Sequence, residues 1–187
     1  EFKRTVSPSM DILISSNLER LLFEITGHNS ELVNKWMNEL KNEGIYTVDS
    51  NTKNAISEIF WGAFANEKET LSTIKCIYDE YNYVVDTHTA VAIDVYDKYV
   101  ISTGDMTKTI IVSTASPFKF NESVAGAILG KDKIDGKTEF ELLDILANQC
   151  NIDIPLGLKE LDKREILHDT ICEKTDMKTQ VEKILNI

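Results

Sequence analysis

The chain has 187 residues, of which 42% are hydrophobic and 27% charged, a composition typical of a globular protein of one domain. Its formal net charge of −11 argues against a nucleic-acid or anionic-membrane partner, because either needs a basic surface. No apolar run approaches the roughly 20 residues of a membrane span. The three cysteines lack metal-ligand spacing, which indicates reduced thiols in the cytoplasm and no metal site.

The first element predicted is a short buried strand at residues 10–14, MDILI. A helix should follow it, running to about Thr26. The Ser16-x-x-Glu19 spacing predicts a capping box at its start, with Asn17 as a competing cap. Exposed backbone N–H groups at such a corner can hold an anion, and simple capping is the alternative interpretation.

Three apolar stripes with helical spacing come next, within residues 32–40, 55–64 and 71–81. They predict a mostly helical middle section and favour core packing over a cofactor site. Residues 83–100 then predict a polar corner and a further helix, capped by Asp86 or Thr87. His88 stands at that helix start, where neighbouring N–H dipoles favour a neutral imidazole that could bond a ligand or serve structure alone.

Residues 109–114, TIIVST, have the β-branched content of a buried parallel strand. Its predicted carboxyl end carries Ser113, Thr114 and Ser116, and ligands bind outside the carboxyl ends of strands in open α/β sheets. A hydroxyl can pair with a neutral ring nitrogen, whereas a carboxylate would keep that nitrogen protonated. The alternative is that these hydroxyls satisfy backbone groups of a turn.

Lys119 lies between two phenylalanines, so it could act as an amine nucleophile, meet a phosphate, or extend to solvent. Helices are predicted at 121–130, at 137–150 with a capping box from Thr138 to Glu141, and at the end of the chain. A change of character near residue 130 suggests two parts, 1–130 and a helical extension at 131–187.

Three segments taken together resemble one family, threonine synthase: SPSMDILISSNLERLLFE, DTHTAVA and STASPFKFNESVAGAIL. This is a pyridoxal-phosphate enzyme of the tryptophan-synthase-like group, fold type II. The resemblance covers residues 1 to about 130. Members of the family usually have proline where this chain has Thr87, which leaves the helix start intact because threonine can also cap.

The resemblance implies an α/β fold, with a short, mostly parallel sheet near residues 10–14 and 109–114 flanked by many helices. It implies conversion of O-phospho-L-homoserine and water to L-threonine and phosphate with pyridoxal 5'-phosphate as cofactor. Thr114 would hydrogen-bond the pyridine nitrogen of the cofactor, with Ser113 beside it. The other residues implied at the cleft or the substrate phosphate are His88, Thr89, Ser116, Lys119, Ser16, Asn17 and Arg20.

The lysine that forms an imine with the cofactor in this family, and the glycine-rich loop for the cofactor phosphate, have no counterpart in the sequence. We therefore expect a C-terminal portion of the enzyme that carries no catalytic residue, is inactive alone, and needs the N-terminal half as its partner. Self-association through uncovered apolar faces is a further expectation. Two alternatives stay open: another fold type II enzyme, such as a dehydratase or tryptophan synthase β chain, and a non-catalytic interaction domain derived from one.

Overall fold

The computed structural model describes residues 2–187, and in this range the chain is helical without any β-strand. Short 3₁₀ turns at Pro8–Met10, Pro117–Phe120, Leu161–Lys163 and Lys174–Asp176 accompany the α-helices. The α-helices are α1 Ser16–Ile25, α2 Ser30–Glu43, α3 Ser50–Ile59, α4 Glu67–Tyr81, α5 Thr87–Thr103, α6 Asn121–Leu129, α7 Lys131–Ile134, α8 Glu139–Cys150 and α9 Met177–Leu185.

The predicted α/β fold with a short parallel sheet is therefore wrong. Of the predicted strand at 10–14, Met10 ends a 3₁₀ turn and residues 11–14 are irregular, with Leu13 76% exposed. Residues 109–114 are also irregular, with Ile110 87% and Val112 68% exposed. A strand exists only when its backbone groups pair with a neighbour, and the backbone of residues 110–115 makes no hydrogen bond within the described chain. The β-branched pattern predicted an extended backbone. It could not show whether a neighbouring strand was present to pair with that backbone.

Short-range helix signals were confirmed. Asp86 caps α5, and Thr138 and Glu141 form the predicted capping box of α8. Gly44 ends α2 in the left-handed conformation, with φ of 76°. The predicted capping box from Ser16 to Glu19 is wrong: the helix begins at Ser16, and its cap is Ser15, whose hydroxyl accepts from the Leu18 N–H.

The chain divides into two compact units, one ending at Ile154 and the other spanning Pro155–Ile187. In the first unit, α1 packs on α2 and α3 around Leu22, Val33 and Trp36. Four further helices form a row, in which α5 packs on α4, α4 on α6 and α6 on α8. The buried apolar residues of these helices and of the segments between them are Ile74, Val85, Ala90, Phe118, Val124, Ala125, Ile128, Leu142, Leu143, Leu146 and Cys150.

The second unit contains α9 and two 3₁₀ turns. None of the helices in residues 2–187 is long and apolar enough to cross a membrane.

Candidate functional site

A buried carboxylate organises the start of α5. Asp86 is fully buried, and its Oδ1 accepts from the backbone N–H groups of His88, at 2.8 Å, and Thr89, at 3.4 Å. Its Oδ2 accepts from the hydroxyl of Thr89. The carboxylate thus satisfies free N–H groups of the first helical turn, as an N-cap does, and also fixes the Thr89 side chain.

His88 lies in the same buried cluster. Its Nε2 accepts a hydrogen bond from the Ser9 backbone N–H at 3.1 Å, and its Nδ1 lies 3.2 Å from Asp86 Oδ1. Because Nε2 is an acceptor, the ring is neutral and carries its proton on Nδ1, which can donate to Asp86. The Phe120 ring covers the imidazole with centroids 4.6 Å apart, and His88 is 5% exposed.

One hydrogen bond joins this corner to the segment 110–116. The hydroxyls of Thr89 and Ser113 lie 3.2 Å apart, across 24 positions in the sequence. Thr89 is buried while Ser113 is exposed, so the bond leads from the interior to the surface. The structure therefore brings together Ser113, Thr89 and His88, through Asp86.

Thr114 follows at the surface. It is exposed and makes no hydrogen bond within residues 2–187, so its hydroxyl is available to a ligand. Ser116 caps the next 3₁₀ turn by accepting from the Phe118 N–H at 3.3 Å, which leaves its own hydroxyl proton unassigned within the described chain.

Lys119 is exposed and lies on that turn, with Nζ 5.6 Å from the centroid of the Phe120 ring. Residues 106–121 include Lys108 and Lys119 and no acidic residue, although Asp105 and Glu122 flank this segment. The formal charge of the segment is therefore positive in a chain of net charge −11, which favours an anionic or neutral ligand.

Ser16, Asn17 and Arg20 form a separate corner on α1. Arg20 donates to the Asn17 side chain, and all three residues are exposed. Ser16 and Arg20 line an open groove of about 470 Å³ between α1 and α2. Among the described residues, no hydrogen bond or ion pair connects this corner to Asp86, Thr89 or Ser113.

Comparison with known proteins identifies the family. The family model described as threonine synthase, C-terminal, matches residues 89–177. Threonine synthase of Schizosaccharomyces pombe is 34% identical over 174 residues, which cover 81% of this chain and 34% of that protein. Threonine synthase of Saccharomyces cerevisiae is 36% identical over 140 residues, covering 67% of this chain and 27% of that protein. The chain belongs to the threonine synthase family.

Solved structures agree with this assignment. The crystal structure of yeast threonine synthase superposes with a TM-score of 0.75 at 28% identity, covering all of this chain and 38% of that one. Threonine synthase of Brucella melitensis, whose structure is described as bound to PLP, gives a TM-score of 0.66 at 29% identity. It covers 88% of this chain and 31% of the Brucella chain. The chain thus spans about a third of the length of these threonine synthases.

Sequence reasoning missed two contributors to the site. Ser7 donates to the Thr87 carbonyl at 3.3 Å, and the Ser9 N–H donates to His88. These contacts connect positions 79 and 80 residues apart. Both serines belong to the SPS sequence that opens the first of the three family segments, but nothing local to it indicated which helix start it would contact.

Proposed function

We propose that the full-length protein containing this chain is a threonine synthase, a lyase of threonine biosynthesis. It would convert O-phospho-L-homoserine and water to L-threonine and phosphate. The single observation that carries the proposal is the free hydroxyl of Thr114 beside the anchored Ser113, on a chain of this family. This refines the family assignment to a reaction and to named residues.

The residues present suit pyridoxal 5'-phosphate. An exposed hydroxyl without a protein partner can donate to a neutral pyridine nitrogen, and Thr114 has such a hydroxyl. The surrounding segment 106–121 has no carboxylate that would favour a protonated ring. When bound, this cofactor supplies an electron sink for removal of protons beside the substrate amine and for loss of phosphate.

Other residues of the chain would bind and orient the cofactor or the substrate. Ser113 would face the cofactor beside Thr114, held by its bond to Thr89. Ser116 and Lys119 would line the same cleft, where the Lys119 ammonium favours an anion. His88 would support the cleft wall from inside the cluster. Ser16 and Arg20, which line the groove between α1 and α2 together with Glu19, would attract the substrate phosphate with the neighbouring Asn17.

We assign residues 1–130 to the cofactor-binding part and 131–187 to a C-terminal helical extension. The partner of this chain would be the remainder of the enzyme, which supplies the lysine that binds the cofactor covalently and the loop for the cofactor phosphate. Large apolar side chains stay exposed, including Leu13 at 76% and Ile110 at 87%, and the remainder of the enzyme would cover them. Without it, self-association through these faces is expected.

We also propose a cytoplasmic location without a nucleic-acid partner. Cys76, Cys150 and Cys172 are all free thiols, as a reducing compartment favours. The net charge of −11 would repel a phosphate backbone.

A phosphate-release assay tests the proposal. The full-length protein should release phosphate from O-phosphohomoserine and form threonine, whereas this chain alone should not. After incubation with pyridoxal phosphate and borohydride, this chain should carry no covalent adduct on Lys119. Thr114→Val should keep the fold and lower cofactor affinity about 3- to 10-fold, the worth of one hydrogen bond. Full-length protein inactive on phosphohomoserine but active on serine or threonine would indicate a dehydratase instead.

A further inference from the structure

Helix capping alone does not require a buried, charged side chain at Asp86. Asparagine or serine would cap a helix about as well as aspartate without burying a charge. Among the described residues no lysine or arginine pairs with Asp86, and its hydrogen-bonding partners all lie in the first turn of α5. What a carboxylate alone provides is an oxygen that accepts and never donates.

That property sets the direction of the next two hydrogen bonds. The Thr89 hydroxyl has one proton, and it must point to Asp86 Oδ2 because the carboxylate has none to give. Thr89 Oγ1 therefore has only lone pairs to offer Ser113, 3.2 Å away. The proton of this second bond must then come from the Ser113 hydroxyl.

Ser113 consequently has no proton left for a ligand. Its exposed Oγ can accept from an N–H or O–H donor, but it cannot donate. Thr114, one residue on, has no partner within the described chain and can donate. Two adjacent hydroxyls thus have different hydrogen-bonding roles, although their chemistry is the same.

We infer that Asp86 is a positioning residue that acts through Thr89 to make Ser113 a hydrogen-bond acceptor toward the bound cofactor. This inference rests on the proposed function for the identity of the ligand. It assigns recognition of a ligand donor to Ser113 and recognition of the ring nitrogen to Thr114. The two positions would therefore not be interchangeable.

The chain offers a matched control at the start of α3. Asp49 caps that helix in the same way, accepting from the Thr52 N–H and from the Thr52 hydroxyl, each at 2.9 Å. Within residues 2–187 the Thr52 hydroxyl makes no hydrogen bond to a second hydroxyl, and Asp49 itself is exposed. Asp49→Asn changes the same cap without any relay to a ligand.

The test compares Asp86→Asn, Ser113→Ala, the double variant and Asp49→Asn in the full-length protein. Asparagine keeps the cap, but its amide can donate to Thr89 and so reverse the relay. We expect Asp86→Asn and Ser113→Ala each to weaken binding of pyridoxal phosphate to the apo-protein about 3- to 10-fold. The double variant should bind no more weakly than Ser113→Ala, and Asp49→Asn should bind as the wild type does.

The inference is overturned if Asp86→Asn leaves the affinity unchanged, if its effect adds in full to that of Ser113→Ala, or if Asp49→Asn weakens binding equally. A second measurement does not depend on the cofactor. Neutron diffraction from deuterated crystals of the full-length protein should place deuterium on Thr89 toward Asp86 and on Ser113 toward Thr89. The opposite orientation refutes the relay even in an active threonine synthase, whereas absent activity with this orientation refutes only the proposed function.

Discussion

Two helix starts in this chain look alike in sequence and differ in structure. The start of α1 has Ser15, Ser16 and Asn17, and the start of α5 has Asp86, Thr87 and His88. Around α1 the hydrogen bonds are local and the side chains face solvent. Around α5 the side chains are buried and bond to Ser9 and Ser113, which are distant in sequence. The start of α5 therefore differs from that of α1 in its long-range contacts more than in its capping residues.

The largest expected effect comes from removing the two caps. Asp86→Ala leaves two backbone N–H groups and the Thr89 hydroxyl without their acceptor in the interior, which should cost about 2 to 4 kcal/mol of unfolding free energy. Ser15→Ala at the exposed corner should cost about 1 kcal/mol, since water replaces the lost hydroxyl. Denaturant unfolding of the full-length protein measures both. Equal losses of unfolding free energy in the two variants would mean that burial does not increase the contribution of the α5 cap to stability.

A smaller effect is expected at the α1 corner. If the groove at Arg20 receives the substrate phosphate, Arg20→Gln should lower kcat/KM about 10-fold, because one charge-assisted contact to that phosphate is lost. Lys35→Gln, which removes an exposed cation of α2, serves as the control. Steady-state phosphate release measures both variants. An unchanged kcat/KM for Arg20→Gln would show that this corner only caps the helix.

Local features of the chain could be predicted from the sequence, whereas long-range pairing could not. The caps at Asp86 and Thr138 were predictable because their partners lie within three residues. The stripe at 55–64 was only partly right, because α3 ends at Ile59 and Phe60 and Phe64 are exposed. The segment 109–114 was misjudged because a strand depends on a neighbour at long range, which composition does not encode.

The site was predictable in part. The hydroxyl-rich segment at Ser113 and Thr114 and the corner at His88 could be selected from the sequence, and the structure links Ser113 and His88 through Thr89 and Asp86. The cofactor and substrate roles given to these residues stay predictions. The burial of Asp86 was not predictable, because the start of α5 contacts residues that are distant in the sequence, among them Ser9 and Phe120.

The smallest expected effect concerns the other end of α5. Asp105 accepts from the Thr107 hydroxyl at 2.6 Å, from the Tyr99 hydroxyl at 2.6 Å and from the Thr107 N–H at 2.9 Å. These bonds, with that of the Thr107 hydroxyl the strongest, lower the pKa of Asp105 from 3.8 to about 2. Like Asp86, it is a carboxylate with several donors, but it stays in contact with solvent.

The lowered pKa gives the pH dependence its sign. A carboxylate with a lower pKa in the folded state stabilises the fold above its unfolded value of 3.8, and that contribution is lost as the pH falls toward 2. The wild type should therefore melt at a slightly higher temperature than Asp105→Asn near neutral pH, with the difference shrinking between about pH 4 and 2. A difference that stays constant over this range would show that the ionised form is not what the three donors stabilise. The effect stays small because water already solvates this carboxylate in the folded state, a compensation that the buried Asp86 lacks.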